Sequence, residues 1–198
     1  PKFLPNLLAN FLEIEVETVI ALQGPPGTGK SSVTAKFMSE LIKLDKKIAI
    51  SSNSNQAINN LLLKVKTICE EEGLNNQIVK ATSKKEDQQL SNSGIGLIPS
   101  ASLTLNETVI GGTTWVFSRE EMANAFDVLV IDEAGQMSLA NLLVMAQSAK
   151  SILLVGDTQQ LAMPTKASHP NNSGQSCLKF LMNGSEVIPN NKGIFLPI

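Results

Sequence analysis

One short stretch constrains this chain more than any other: the residues from Gly24 to Ser31 read GPPGTGKS. They match the phosphate-binding pattern G-x-x-x-x-G-K-[ST] at every fixed position. An apolar, β-branched run from Thr18 to Leu22 precedes the stretch, and apolar residues at helical spacing follow it, at Val33, Phe37, Leu41 and Leu44. A glycine-rich loop between a strand and a helix is the setting in which this pattern binds phosphate. The sequence therefore predicts a nucleotide triphosphate site.

The fixed residues of this loop each have a chemical role. Glycines let successive backbone N–H groups turn toward an anion, and the start of the following helix adds partial positive charge. Lys30 can reach the β- and γ-phosphates, and the Ser31 hydroxyl can ligate Mg²⁺. The residues expected to contact the nucleotide are Gly24, Pro25, Pro26, Gly27, Thr28, Gly29, Lys30, Ser31 and Ser32.

Length and composition favour one globular domain. The chain has 198 residues, 42% of them hydrophobic and 17% charged, which suits a single α/β domain better than two. No apolar run approaches the roughly 20 residues that cross a bilayer, so we expect no membrane partner. The first residues lack both an initiator Met and the segments of an export signal. We therefore expect a fragment of a longer intracellular protein, cytoplasmic or nuclear, that forms one domain over 1–198.

Strand and helix patterns alternate along the chain. A short apolar run at 48–51 predicts a second strand, and helical spacing from Ile58 to Cys69 predicts the next helix. The runs at 127–132 and 151–157 are too uniformly apolar for strands with one wet face, so we predict that they are central strands. This alternation is typical of an α/β fold with a parallel sheet covered on both faces. Further elements are predicted as helices at 7–12, 139–146 and 177–182, an ordered segment at 108–114 and a last strand at 193–196.

The segment from Ser83 to Glu107 breaks this alternation. It is rich in lysine, acidic, amide and serine residues and has no clear period. A structureless stretch of this length inside a compact domain is typically functional or mobile. We therefore expect a mobile insertion over 83–107.

Two of the predicted strands lead into residues that suit phosphate chemistry. The strand at 127–132 ends in Asp132 and Glu133, and Gln160 follows the strand at 151–157. Ligands of an open parallel sheet bind beyond the carboxyl ends of its strands, so Asp132 should emerge beside the glycine loop. Its carboxylate can hold Mg²⁺, and Glu133 can orient or deprotonate the attacking water. Gln160 can sense the γ-phosphate, although a polar turn is the favoured explanation of this segment when it is taken alone.

The chain contains five short stretches in a fixed order: GPPGTGKS (24–31), SNQAIN (54–59), GTT (112–114), DEAGQM (132–137) and GDTQQLAMP (156–164). Their order and spacing are those of motifs I, Ia, Ic, II and III of superfamily 1 helicases. Over roughly residues 18–164 the chain resembles these helicases, and most of all the 5′-to-3′ subgroup that contains the nonsense-mediated-decay helicase.

This resemblance implies a fold, an activity and a set of roles. The fold is a RecA-like P-loop NTPase domain, a three-layer α/β sandwich around a central parallel sheet, and the cofactors are ATP and Mg²⁺. Lys30 would bind the phosphates, Ser31 and Asp132 the Mg²⁺, Glu133 the water and Gln160 the γ-phosphate. Small polar groups position a strand without reading its sequence. The residues implied to contact the backbone of single-stranded DNA or RNA are Ser54, Asn55, Thr113 and Thr114.

Some of the helicase motifs are missing. Motifs IV to VI, which belong to a second RecA-like domain and carry an arginine finger, have no counterpart, and Arg119 is the only arginine. We therefore expect a second RecA-like domain as a partner. Hydrolysis should be weak and unwinding absent in this chain alone, because the lobe that closes the site is missing.

Two alternatives stay open at this point. A small-molecule kinase or a GTPase would share the phosphate loop, although no guanine-specifying N-K-x-D sequence is present. The other alternative is a nucleotide-gated module that binds nucleic acid or a partner protein without motor activity.

Overall fold

The computed structural model describes residues 18–83, 87–158 and 174–197, together with position 5. Within these ranges one parallel sheet of eight strands runs in the order β4-β3-β5-β2-β6-β7-β1-β8. The strands are β1 (Val19–Gln23), β2 (Ile48–Ser51), β3 (Ile78–Ala81), β4 (Gly96–Ile98), β5 (Val109–Gly111), β6 (Phe126–Ile131), β7 (Ala149–Gly156) and β8 (Gly193–Phe195).

Helices connect most of these strands. They are α1 (Lys30–Lys43), α2 (Asn55–Glu71), α3 (Gln88–Asn92), α4 (Thr114–Phe117), α5 (Leu139–Ala146) and α6 (Cys177–Met182), with 3₁₀ turns at Ser100–Ser102 and Glu120–Met122. Over the part of the chain that the structure describes, none of the helices has the length and apolar character needed to cross a membrane.

The sheet separates two hydrophobic layers. Successive side chains of a strand point to opposite faces, so Leu153 belongs to one layer and Leu154 to the other. The first layer packs the sheet against α1 and α2, which contribute Phe37 and Leu61. The second packs it against helices that include α6, whose Leu178 is fully buried. The fold is therefore the predicted three-layer α/β sandwich, with apolar residues on both faces of β6 and β7.

Most of the predicted elements are present with similar boundaries. Strand β2 and helix α6 occupy the predicted ranges, and β6 and β7 lie inside the sheet as expected for uniformly apolar runs. Strand β8, predicted from four residues, pairs with β1. The helix predicted at 7–12 lies outside the described residues, and so does Gln160.

The expectation of a structureless segment over 83–107 is wrong for the residues that the structure describes. Helix α3 begins after Asp87, whose carboxylate accepts a hydrogen bond from the Leu90 N–H at 3.3 Å. Strand β4 then pairs with β3 at the edge of the sheet. These elements are too short to give a sequence period, so the sequence pattern does not predict them. The mobility of the segment stays a prediction.

Candidate functional site

The three strand ends that the sequence linked to phosphate chemistry lie side by side. Strand β7 pairs with β1 on one side and β6 on the other, with Gln23 opposite Gly156 and Ile131 opposite Leu154. The Gly24 N–H donates to the Gly156 carbonyl at 3.1 Å. The glycine loop, Asp132 and the end of β7 therefore emerge together at one edge of the sheet.

The glycine loop has the backbone shape that its sequence predicts. Gly29 caps α1 with a φ of 81°, a left-handed conformation that glycine adopts without steric strain. Its carbonyl accepts the N–H groups of Ser32 and Val33 at 2.9 and 3.0 Å, which begin the helix. The Thr28 hydroxyl donates to the Pro25 carbonyl at 2.9 Å and closes the loop. The loop is thus ordered by its own hydrogen bonds.

Lys30 folds over this loop. Its ammonium donates to the carbonyls of Gly24 and Pro25 at 2.6 and 2.7 Å. Burial lowers the pKa of Lys30 from its ordinary value, while the negative charges of Asp157 and Asp132 oppose that shift. The Lys30 ammonium therefore lies beside the loop, close enough to Asp132 and Asp157 to interact with both carboxylates electrostatically.

Residues 132–136, here called the acidic turn, leave the end of β6. The Asp132 N–H donates to the Ser51 carbonyl at 2.9 Å, and its carboxylate accepts the Glu133 N–H at 3.0 Å. Glu133 has a φ of 56°, which is uncommon for a residue with a side chain. Burial raises the pKa of Asp132 to about 6, and the neighbouring Glu133 charge adds to the shift. The Asp132 carboxylate has thus lost much of its hydration, and a nearby cation would favour its ionised form.

The acidic turn is packed tightly against the end of β7. A Cβ atom at Gly135 would overlap the Asp157 carbonyl oxygen, so only glycine fits at this position. The Ala134 N–H donates to the Val155 carbonyl at 2.8 Å, and the Cys177 thiol donates to the Ala134 carbonyl at 3.3 Å. Neighbouring elements therefore fix the turn that carries both acidic residues.

Gln23, which the sequence analysis did not single out, joins this site to the C-terminal part of the fold. Its side chain is 3% exposed. The amide nitrogen donates to the Thr158 hydroxyl at 3.1 Å and to the Glu186 carbonyl at 2.9 Å, while the amide oxygen accepts the Ile188 N–H at 2.6 Å. The one available signal was a polar residue at the end of a buried strand, directly before the glycine loop.

The residues assigned to nucleic acid lie at the same edge of the sheet, across β2 and β5. Ser54 caps α2 by accepting the Ala57 N–H at 3.4 Å, and Asn55 begins that helix. Thr113 and Thr114 follow the end of β5. Asn55 and Thr113 line a common groove, which we call the polar groove, together with Gln56, Thr82, Ser100 and Trp115 among others. Ser54 and Thr114 are not among the residues that line it.

Two side chains connect the acidic turn to the start of α2. The Asn53 amide donates to the Gln136 carbonyl at 2.6 Å, and the Ser52 hydroxyl lies 3.4 Å from a Glu133 carboxylate oxygen. The polypeptide between β2 and α2 is therefore attached to the turn that carries Asp132 and Glu133. No signal in the sequence pointed to this connection.

The floor of the polar groove holds a charged pair bridged by an amide. The Lys80 ammonium, on a residue only 5% exposed, donates to the Asn59 amide oxygen at 2.6 Å. The Asn59 amide nitrogen donates to the Asp87 carboxylate at 2.9 Å. Opposite charges thus compensate each other below the groove.

The described residues contain no group of three or more His, Cys, Asp or Glu side chains placed to hold a metal ion. Mg²⁺ commonly binds through one or two carboxylates plus substrate phosphates rather than an all-protein cage. Asp132 and Ser31 could each offer one oxygen ligand.

Curated relatives cover most of this chain. DNA replication ATP-dependent helicase/nuclease dna2 of Schizosaccharomyces pombe is 30% identical over 166 residues, which cover 79% of this chain and 12% of that protein. RecBCD enzyme subunit RecD of Buchnera aphidicola subsp. Schizaphis graminum is 27% identical over 179 residues, covering 86% of this chain and 26% of that protein. The chain thus spans a small part of the length of these relatives.

Solved structures share the fold at low sequence identity. An arterivirus nonstructural protein 10 helicase in complex with DNA superposes with a TM-score of 0.52 at 15% identity, covering 78% of this chain and 32% of that chain. The SWI2/SNF2 ATPase core of Sulfolobus solfataricus in complex with dsDNA superposes with a TM-score of 0.51 at 16% identity, covering 79% of this chain and 31% of that chain.

A family profile described as AAA domain matches residues 11–169, well over half of the chain. The chain therefore belongs to the AAA domain family, as a RecA-like domain of the superfamily 1 helicases.

Proposed function

We propose that this chain is the first motor domain of an ATP-dependent helicase that acts on DNA or RNA. The observation that carries the proposal is the adjacency of β6, β7 and β1, whose ends bring the glycine loop and the acidic turn to one edge of the sheet. One bound triphosphate could contact both. The dna2 relative of Schizosaccharomyces pombe is an ATP-dependent helicase/nuclease by name, which supports a motor over a kinase or a passive binding module.

In this proposal the glycine loop holds the phosphates of ATP. Lys30 would exchange its two carbonyl partners in the loop for phosphate oxygens, because an ammonium bonds more strongly to an anion than to a neutral carbonyl. The loop from Gly24 to Ser32 would surround the phosphates, and its non-proline residues, such as Gly27, Thr28 and Gly29, would supply backbone N–H groups. Glu133 would orient or deprotonate the attacking water, and Gln160 would respond to the γ-phosphate.

The residues at this edge also fit Mg²⁺. Ser31 and Asp132 offer a hydroxyl and a partly desolvated carboxylate, the hard oxygen ligands that Mg²⁺ prefers. The bound ion would neutralise charge that develops on the transferring phosphoryl group. In this protein Asp132 would hold the ion, and the Glu133 N–H would keep the Asp132 carboxylate in position.

Single-stranded DNA or RNA would follow the start of α2 and the end of β5. Ser54, Asn55, Thr113 and Thr114 would contact the backbone of the strand through hydroxyl, amide and N–H groups. Residues 1–198 would form one motor domain of a longer intracellular protein. A second RecA-like domain would close over the nucleotide and supply an arginine finger.

The direct test is Mg-ATP binding by the Lys30→Ala variant, measured by calorimetry. Losing a charge-assisted contact of this kind should lower affinity by roughly 10- to 100-fold or more. Lys43→Ala is the matched control, because Lys43 ends the same helix with an exposed side chain. Equal binding by wild type and Lys30→Ala would overturn the nucleotide assignment. A strong preference for GTP over ATP would overturn the helicase assignment.

A further inference from the structure

We propose that Trp115 is a stacking platform for an unpaired nucleobase, so that a strand in the polar groove turns its bases toward α4. This inference rests on the proposed function, because it assigns the bases of the strand whose backbone Asn55 and Thr113 would contact. Trp115 is a binding residue that the motif pattern does not include.

The first observation is the exposure of the indole. Trp115 is 83% exposed, more than any other large hydrophobic side chain in the parts of the chain that the structure describes. Leaving an indole in water forgoes the stability that its burial would provide. A tryptophan held in solvent at the rim of a groove therefore suggests a ligand that covers it.

The second observation is that Trp115 sits on a rigid support. The next two residues, Val116 and Phe117, are 7% and 0% exposed, and the Phe117 ring packs edge-to-face on Phe126 with centroids 5.6 Å apart. The Val116 N–H also donates to the Thr113 carbonyl at 2.9 Å. The backbone that carries the indole is thus fixed by the core before any ligand binds, which lowers the entropy lost on binding.

The third observation is the chemistry of the surrounding groove. Its walls carry the amides of Asn55 and Gln56 and the hydroxyls of Thr82, Ser100 and Thr113. An apolar peptide would form few favourable contacts with such polar walls. A nucleotide strand instead offers the π-face of a base to the indole. Its phosphate, sugar and base oxygens can form hydrogen bonds with the polar walls. The combination therefore favours single-stranded nucleic acid over an apolar protein segment.

The charges of the groove are compatible with this occupant. Among the described residues that line it, Lys80 and Asp87 are charged, and both bond to Asn59. This compensated pair neither attracts nor repels phosphates strongly. Stacking on Trp115 should therefore supply a large share of the affinity at this position.

The sequence provides its own probe for the test. The chain contains one tryptophan and no tyrosine, so its indole fluorescence reports on Trp115 alone. Stacking with a base should quench that emission. The 198-residue chain is titrated with short oligothymidylate and oligouridylate, and with an abasic strand of equal length. Fluorescein-labelled copies of the strands report binding independently through anisotropy.

We expect the thymidylate or the uridylate strand to quench the emission, and the abasic strand to bind more weakly with little quenching. Trp115→Leu, which keeps an apolar side chain without a π-face, should weaken binding by roughly 5- to 150-fold, and Trp115→Phe should retain most of it. Phe180→Ala removes another exposed aromatic, 54% exposed on α6, and should bind as the wild type does.

Two results would overturn the inference and leave the proposed function standing. In the first, anisotropy shows that the strand binds without quenching the emission, and Trp115→Leu binds the strand with the affinity of the wild type. The other is equal binding and equal quenching by the abasic strand, which would mean that the backbone alone is recognised. Failure of every strand to bind would contradict both the inference and the nucleic-acid part of the proposed function.

Discussion

Gln23 is a single side chain that joins three parts of the fold. It ends β1 directly before the glycine loop, and its amide bonds to Thr158, Glu186 and Ile188. Two of these partners are backbone groups, and the Ile188 residue is buried at 3% exposure. Loss of the amide would leave buried polar groups without partners, which is more costly than removing both members of a hydrogen bond.

We expect Gln23→Leu, a substitution of similar size, to lower the free energy of unfolding by about 2–3 kcal/mol. Urea denaturation followed by circular dichroism measures this value. Gln77→Leu is the control, because Gln77 is an exposed residue just before β3 and should change stability by less than about 0.5 kcal/mol. An equal and small effect of both substitutions would contradict the role of Gln23.

At the residue level, the sequence predicts the location of the candidate site better than it predicts the contacts that support the site. Lys30, Ser31 and Asp132 follow from a local pattern and from the rule that ligands bind beyond the carboxyl ends of parallel strands. The partners of Gln23 lie 135 to 165 residues away, and no local pattern encodes such contacts. The exposure of Trp115 is equally non-local, because it depends on which elements pack around α4.

Among the elements, β6 is held in place at its first residues by Asp127. The Asp127 carboxylate accepts the Lys47 N–H at 2.9 Å and the Lys150 ammonium at 3.0 Å, which connects β6 to the residues before β2 and to β7. Burial alone would raise the pKa of Asp127, but these hydrogen bonds outweigh it and lower the pKa below its ordinary value. Its ionised form is therefore more stable in the folded chain than in the unfolded one.

A carboxyl group whose pKa is lower in the folded chain than in the unfolded chain stabilises the fold. This stabilisation is complete at a pH above the unfolded pKa, and it is lost as the pH falls through the folded pKa. We therefore expect Asp127→Asn to lower the free energy of unfolding by about 1 kcal/mol at pH 7. The difference from wild type should shrink as the pH falls below about 4. Urea denaturation at a series of pH values measures it. A difference that stays constant over this range would mean that the charge of Asp127 is irrelevant.

Strands β3 and β4 illustrate why some elements escape prediction from sequence. Strand β3 contains Lys80, whose charge suggests a solvent-facing position, but its ammonium donates a hydrogen bond to the amide oxygen of Asn59 on α2. Strand β4 has three residues, fewer than any periodicity test needs. The longer apolar strands β6 and β7 carry their signal locally, so their positions are predicted correctly.

For the molecule as a whole, the sheet separates two hydrophobic layers, and strand β7 contributes side chains to both. Leu153 packs into one layer and Leu154 into the other, and both are at most 1% exposed. Each layer also contains one free, buried cysteine, Cys69 in the first and Cys177 in the second. The cysteines therefore allow the opening of each layer to be followed separately.

We expect Leu153→Ala and Leu154→Ala each to lower the free energy of unfolding by about 2–5 kcal/mol. Because one strand serves both layers, either substitution should expose Cys69 and Cys177 at the same urea concentration. Pulsed thiol labelling with mass spectrometry locates each modified cysteine. Exposure of one cysteine well before the other would show that the layers unfold independently.

The position of β1 in the sheet has a consequence for biosynthesis. This strand is translated first among the described strands, yet both of its neighbours, β7 and β8, come from the last third of the chain. During synthesis β1 has no neighbour in the sheet until β7 has emerged from the ribosome, and its second edge stays open until Phe195 has emerged. The proposed nucleotide site should therefore form late, after β2, β5 and β6 have been synthesised.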